Sequence, residues 1–304
     1  MSSAQETDRA REKTGDHLVR IVSEDGNFRA MAADTTELVN EVCRRQQTDL
    51  TATVALGRLV TGGALMGCLL KGAQRLALVV EGNGPLGKLS VETDANGRVR
   101  GSVRQPQANL PPREDRFDVA GAIGRAGFLH VWKDLGLKEP YRSMVQLQSS
   151  EIGDDLAYYL TTSEQVPSSV ALGVELAADG SVAAAGGFIV QALPPGDIHQ
   201  IAGLEAQLRR MPPSTTQIRQ GKRADDILAE LFHGVPFAVQ QEIPLQFYCP
   251  CNRRQIEEML VGLGRQELQT LLQEQERAQV TCEYCREVYD FDARELQELL
   301  DRIE

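Results

Sequence analysis

Two short stretches near the end of the chain, Cys249-Pro250-Cys251 and Cys282-Glu283-Tyr284-Cys285, carry four of its six cysteines. Four thiols in two close pairs match the ligand set of a tetrahedral Cys₄ zinc site, and a helical hairpin over residues 252–281 would bring the pairs together. Arg253, Arg254 and Arg286 follow the cysteines closely. They are expected to offset the negative charge of four thiolates around Zn²⁺ and to favour the thiolate state. A closed Cys₄ site offers no open coordination position for hydrolysis, so the remaining chemistry belongs to sulfur. The Cys-x-Cys spacing is tighter than the Cys-x₂-Cys of structural ribbons, and each pair is close enough in sequence to oxidise within itself. A Cys249–Cys251 bridge would span one residue, with Pro250 fixing φ, and should be strained and easily reduced.

Around the cysteines, residues 245–304 show three helical patterns with apolar residues at i, i+3 and i+4. These are Ile256, Met259, Leu260 and Leu263; Leu268, Leu271 and Leu272; and Leu296, Leu299, Leu300 and Ile303. About 60 residues is near the lower limit for an independent core, so three short helices need another source of stability. A structural zinc site contributes roughly 10–16 kcal/mol to the folding of a small metal domain. Two disulfides with tiny loops constrain almost nothing. Oxidation is therefore expected to remove the metal, unfold these acidic helices and release any linker that leans on them.

Further outward the texture changes. Residues 194–244 carry the breakers Leu193-Pro-Pro-Gly196 and Met211-Pro-Pro-Ser214 between two amphipathic segments. Their apolar stripes are Ile198, Ile201, Leu204 and Leu208, and Ile227, Leu228, Leu231 and Phe232. Helices this short need a surface to lie on. Residues 1–193 read as a mixed α+β domain. Strands are expected at His17–Ser23 and Phe28–Ala33, with a helix from Asp34 to Arg45. An Ala- and Gly-rich helix over Leu50–Lys71 is apolar nearly all round and should be central and buried, with Gly62-Gly63 as a kink. Further strands follow at 75–81, 87–93, 98–104, 128–133, 143–149, 169–177 and 181–191, with a helix over 151–162. Asn96-Gly97 signals a hairpin in which both turn residues take positive φ. Strand runs interrupted by a few helices argue for α+β rather than a doubly wound sheet. The expected division is thus 1–193 core, 194–244 linker and 245–304 zinc-binding unit.

The 304 residues, 42% hydrophobic and 25% charged, suit a folded globular chain, and the net charge of −11 argues against a nucleic-acid binder. No apolar run approaches the roughly 20 residues of a membrane span, and the first residues lack a signal-peptide core, so a cytoplasmic protein with no membrane partner is expected. In a reducing compartment the cysteine pairs favour metal or redox roles over structural disulfides. Cys43 and Cys68, on helical segments, read as small buried apolar groups. Glu81-Gly-Asn-Gly-Pro-Leu-Gly87 lacks the Lys-[Ser/Thr] of a phosphate loop. Four scattered histidines and no Gly-x-Ser-x-Gly elbow give no hydrolase, so no enzyme is expected. Two rival readings are a thiol–disulfide oxidoreductase using Cys282-x-x-Cys285, which lacks a βα context, and a zinc-ribbon nucleic-acid module, disfavoured by the absence of Lys from residues 245–304.

The segment Cys249-Pro-Cys251-Asn-Arg … Cys282-Glu-Tyr-Cys285-Arg-Glu-Val-Tyr289-Asp-Phe291 resembles the zinc domain of the redox-regulated holdase chaperones, the 33-kDa heat-shock protein family. Glu81-Gly-Asn-Gly-Pro-Leu-Gly87, Ser150-Glu-Ile-Gly-Asp-Asp-Leu-Ala-Tyr-Tyr159, Ser163-Glu-Gln-Val-Pro-Ser168 and Gly186-Gly-Phe-Ile-Val-Gln191 extend the resemblance over nearly the whole chain. It implies an ATP-independent chaperone that is inactive when reduced and holds one Zn²⁺ per chain. It further implies that oxidants form disulfides among Cys249, Cys251, Cys282 and Cys285, that the zinc is released, and that the C-terminal domain and linker unfold. The activated protein would form a homodimer and bind unfolded client proteins.

Overall fold

The computed structural model describes residues 15–112, 116–194, 198–274 and 277–303. The chain begins with β1 (His17–Ser23), β2 (Phe28–Asp34), α1 (Thr36–Gln46), α2 (Leu50–Gly67), β3 (Arg75–Gly82), β4 (Lys88–Asp94) and β5 (Arg98–Val103). There follow α3 (Val119–Ile123), β6 (Gly127–Asp134), β7 (Tyr141–Gln146), α4 (Ile152–Thr162), β8 (Ser168–Leu176) and β9 (Val182–Ala192). Next come α5 (Ile198–Leu208), α6 (Ser214–Arg219), α7 (Ala224–Leu231), β10 (Phe237–Pro244) and β11 (Gln246–Phe247). The last elements are α8 (Arg253–Gly262), α9 (Arg265–Glu274), β12 (Arg277–Thr281), β13 (Val288–Asp292) and α10 (Ala293–Asp301). The fold is α+β, and the chain divides into two compact units between Phe247 and Tyr248. The N-terminal residues read for a signal peptide, Pro195, Gly196 and the side chain of Ile198 lie outside the described residues.

The N-terminal unit is organised around α2. Asp49 caps its first turn by accepting from the Ala52 N–H at 2.8 Å. Every residue of the helix except Leu50 and Arg58 is buried. By length and apolarity alone α2 could cross a bilayer, but 89% of it is buried inside the fold, the setting of a core helix. It packs against strands of two sheets. One has the order β10-β1-β2-β9-β8 and is wholly antiparallel; the other is β11-β5-β4-β3-β6-β7, antiparallel except for β11 beside β5. Leu18 and Met31 from the first sheet join Leu78, Val80, Leu89 and Val91 from the second in one core around the helix.

The glycines of α2 are explained by this crowding rather than by a kink. The helix runs unbroken through Gly62-Gly63 and ends at Gly67, short of the expected Lys71. Leu69 and Leu70 close it with tightened bonds to the carbonyls of Met66 and Gly67. A Cβ on Gly62 would lie 2.5 Å from Leu156 Cδ1, and one on Gly63 would lie 2.6 Å from Val91 Cγ1. The hairpin at Asp94–Gly97 also differs in detail. Only Gly97 takes a positive φ, 74°, while the Asp94 side chain accepts from the Asn96 N–H at 2.8 Å.

The outer face of the five-stranded sheet is apolar too. Val19, Ile21, Phe28, Ala30, Phe188 and Val190 form a second core under Leu204, Ile227, Leu228, Leu231 and Phe232 of the segment that follows β9. Phe28 and Phe232 meet edge to face with ring centroids 6.2 Å apart. The two stripes read from sequence therefore lie on a sheet, with Ile201 and Leu208 at the margin. Burial on both faces explains why β1 and β2 show no clean polar alternation. The same segment ends in a strand the sequence pattern did not announce: β10 pairs antiparallel with β1, from His17 opposite Pro244 to Ser23 opposite Phe237.

The packing of α2 gives a paired test. Gly63→Ala should destabilise the protein by about 1–2 kcal/mol, because overpacking outweighs the roughly 1 kcal/mol gain in helix propensity. Gly203→Ala, in the exposed interior of α5 with no atom within 4 Å of the new Cβ, should stabilise by up to about 1 kcal/mol. Urea unfolding of the two variants measures both, and an unchanged or raised midpoint for Gly63→Ala would contradict the packing account.

Candidate metal centre

The second unit, Tyr248–Glu304, brings the four C-terminal cysteines together from two local structures. Cys249 and Cys251 precede α8, whose start is fixed by Asn252 accepting from the Gln255 N–H. Cys282 and Cys285 occupy the turn of the β12–β13 hairpin. That turn is closed by Cys282 N–H to the Glu287 carbonyl at 2.9 Å and Arg286 N–H to the Cys282 carbonyl at 3.0 Å. Arg286 sits in the left-handed region at φ 61° to complete it. Beneath the cysteines Ile256, Leu260, Leu268, Ala278, Phe291, Leu296, Leu299 and Leu300 form the small core. Asp292 and Glu295 cap α10 reciprocally.

All four sulfurs lie within 4.8 Å of one another, and all four residues are half-buried. Cys249 Sγ is 3.7 Å from Cys282 Sγ, and Cys251 Sγ is 3.1 Å from Cys285 Sγ. A tetrahedron with metal–sulfur bonds of about 2.3 Å has edges of about 3.8 Å, so the cluster has the dimensions of a tetrathiolate site. Burial, and then the neighbouring sulfurs, push the Cys285 thiol well above its ordinary range, and burial raises that of Cys251. A metal ion would reverse that preference by holding the sulfurs as thiolates.

The expected role of the arginines is only partly seen. Arg253 turns away to Glu295 at 2.6 Å and the Asp290 carbonyl at 3.0 Å, with its guanidinium 4.3 Å above the Phe291 ring. Arg254 pairs with Glu258 along α8. Both ion pairs lie within the C-terminal unit. The sequence patterns also missed the β12–β13 hairpin that carries the second cysteine pair. The available signal was the alternation of Ala278 and Val280 opposite Phe291 and Tyr289. Tyr289 has a further part: its hydroxyl lies 3.3 Å from Cys251 Sγ.

Cys43 and Cys68 stand apart in the N-terminal unit. Both are buried, and burial pushes each thiol up to about 12, which leaves them protonated and inert.

Fold and site together define an α+β protein with a small four-cysteine unit appended to its larger unit. Comparison with known proteins agrees. The family model described as Hsp33 protein matches residues 16–292. The 33 kDa chaperonin of Syntrophotalea carbinolica is 59% identical over 285 residues, covering 94% of this chain and 99% of the relative. That of Geobacter sulfurreducens is 52% identical over 288 residues, covering 95% and 96%. The crystal structure of the 33 kDa chaperonin (heat shock protein 33 homolog) from Thermotoga maritima superposes with a TM-score of 0.88 at 34% identity, covering 95% of this chain and 98% of that one. The chain belongs to the Hsp33 family.

The cluster predicts one tight site per chain for a thiophilic divalent ion. Reduced protein titrated with Co²⁺ should show the absorption of a tetrahedral thiolate complex saturating at one equivalent. Cys282→Ser should weaken binding by more than about 100-fold, since loss of a ligand exceeds the 10–100-fold effect of losing an outer partner. Undiminished affinity in that variant would contradict a shared four-sulfur site.

Proposed function

We propose that this chain is a redox-regulated, ATP-independent holdase that binds unfolding proteins after its C-terminal cysteines are oxidised. The observation that carries the proposal is a sulfur cluster of tetrathiolate size in a unit of fewer than about 60 residues, too small to be secure on its core alone. Held by Cys249, Cys251, Cys282 and Cys285 in the reduced chain, one Zn²⁺ supplies folding energy on the order of 10–16 kcal/mol. Soft, four-sulfur, tetrahedral coordination favours zinc over harder cations. Conversion of the four thiolates to disulfides withdraws the ligand set, and cross-links formed within each pair, Cys249–Cys251 and Cys282–Cys285, close loops too short to compensate. What is left is the small cluster around Leu268, Phe291 and Leu296. The C-terminal unit then unfolds.

The apolar stripes of residues 194–244 supply the client surface. Leu204, Ile227, Leu231 and Phe232 are covered at rest by Val19, Phe28 and Phe188 of the five-stranded sheet. Release of that segment bares both partners at once, an apolar area of the kind that captures unfolded chains or a second copy of the protein. The activated form is accordingly a homodimer, acting in the cytoplasm without nucleic acid or membrane. The oxidoreductase alternative is weaker. Cys282-x-x-Cys285 turns a β-hairpin instead of opening a helix, so no helix dipole lowers a thiol there. No turnover in an insulin-reduction assay is expected.

Truncation tests this reading. A chain ending at Phe247 keeps the core around α2 and lacks the C-terminal unit on which, by this reading, the docking of the segment after β9 depends. It should be soluble and should suppress aggregation of a heat-unfolded client under reducing conditions, where the full-length zinc-bound protein does not. A well-folded truncation that stays inactive would mean that the disulfides or the C-terminal unit itself make the client surface.

A further inference from the structure

Tyr289 lies on β13 opposite Val280, and its ring packs at the margin of the C-terminal core. From there its hydroxyl reaches to 3.3 Å from Cys251 Sγ. A metal-bound thiolate has no proton to give, so in the reduced, loaded protein the phenol must be the donor and the sulfur the acceptor. We propose that Tyr289 is a positioning residue of the thiol switch, whose hydrogen bond draws charge from the Cys251 sulfur and thereby slows its attack on oxidant. The inference rests on the reading of the four cysteines as a redox-active zinc site.

The bond restrains a two-step oxidation. The Cys251 thiolate attacks one oxygen of a peroxide; an S–O bond forms, the O–O bond breaks, and hydroxide leaves. A second thiolate of the cluster then displaces hydroxide from the sulfenic sulfur, forming the S–S bond. Two electrons pass from the two thiolates to the peroxide, and protons from solvent convert both hydroxides to water. The first step depends on the electron density at sulfur, which a donated hydrogen bond reduces. The same bond fixes the orientation of the Cys251 side chain, as outer partners of metal ligands do. Tyr289 thus acts in both directions at one atom, strengthening retention of the metal and raising the oxidant level at which Cys251 reacts.

Tyr289→Phe removes the hydroxyl and keeps the ring in the core. The experiment measures alkylation of each cysteine by iodoacetamide in zinc-loaded, reduced full-length protein, resolved by peptide mass spectrometry, beside zinc affinity by chelator competition. The variant should still bind one zinc per chain, with affinity lowered about tenfold. Cys251 should be alkylated several-fold faster relative to Cys282 in the same molecules, and peroxide should oxidise it at a correspondingly lower dose. The internal ratio separates this from a general loosening: four cysteines accelerated alike would show that Tyr289 only holds the unit together. No acceleration would also overturn the proposal. Wild-type protein that takes up no zinc and forms no disulfide with peroxide would overturn the site reading and this inference with it, a result distinguishable because it needs no variant.

Discussion

On the proposed reading, four sulfur atoms within 4.8 Å of one another are the constraint on which the C-terminal unit depends. Left as thiols in a half-buried cluster they contribute little, and as thiolates they repel. On that reading a shared cation turns that repulsion into a cross-link between the chain before α8 and the β12–β13 turn. Around it the unit has a small core, two well-capped helices and surface ion pairs such as Arg294–Glu298, 87% and 57% exposed, which add little. Stability of the kind proposed is chemically addressable, because it would reside in the oxidation state of four side chains.

The N-terminal unit is built on the opposite principle. Its central helix is buried between two sheets and uses Gly62 and Gly63 to let neighbouring side chains approach. That core requires neither metal nor thiol chemistry, and its two cysteines are buried among apolar groups and protonated. Between these regimes lies the segment from α5 to β10, which covers an apolar sheet face with short helices. Short helices on a sheet contribute burial without much propensity of their own, so they can be held or released by modest changes in free energy. On the proposed reading, the metal-dependent unit sets that balance and the metal-independent unit presents the surface that results.

Much of this was legible in the sequence because it rests on local spacing. The two cysteine pairs, the all-round apolarity of Leu50–Lys71 and the stripes at Ile198–Leu208 and Ile227–Phe232 each declare themselves within a few turns of chain. Features set by distant partners did not. β10 has exposed Ala238, Val239 and Gln240 and becomes a strand because β1, more than 200 residues earlier in the chain, offers it an edge. β12 and β13 are five residues each and face solvent on one side, which leaves too short an alternation to read beside the stronger helical periods. The arginines after the cysteines looked electrostatic from their position. In the fold, Arg253 pairs with Glu295 and stacks over Phe291, and Arg254 pairs with Glu258.

The central claim is that the metal holds the C-terminal unit and leaves the N-terminal core alone. Hydrogen exchange of the reduced full-length protein, with and without a zinc chelator and with no oxidant present, tests it most directly. The account predicts that the amides of α8, β12, β13 and α10 lose protection when the metal is removed, while those of α2, β3 and β4 exchange as slowly as before. Retained protection across residues 253–301 after complete removal of the metal would contradict it.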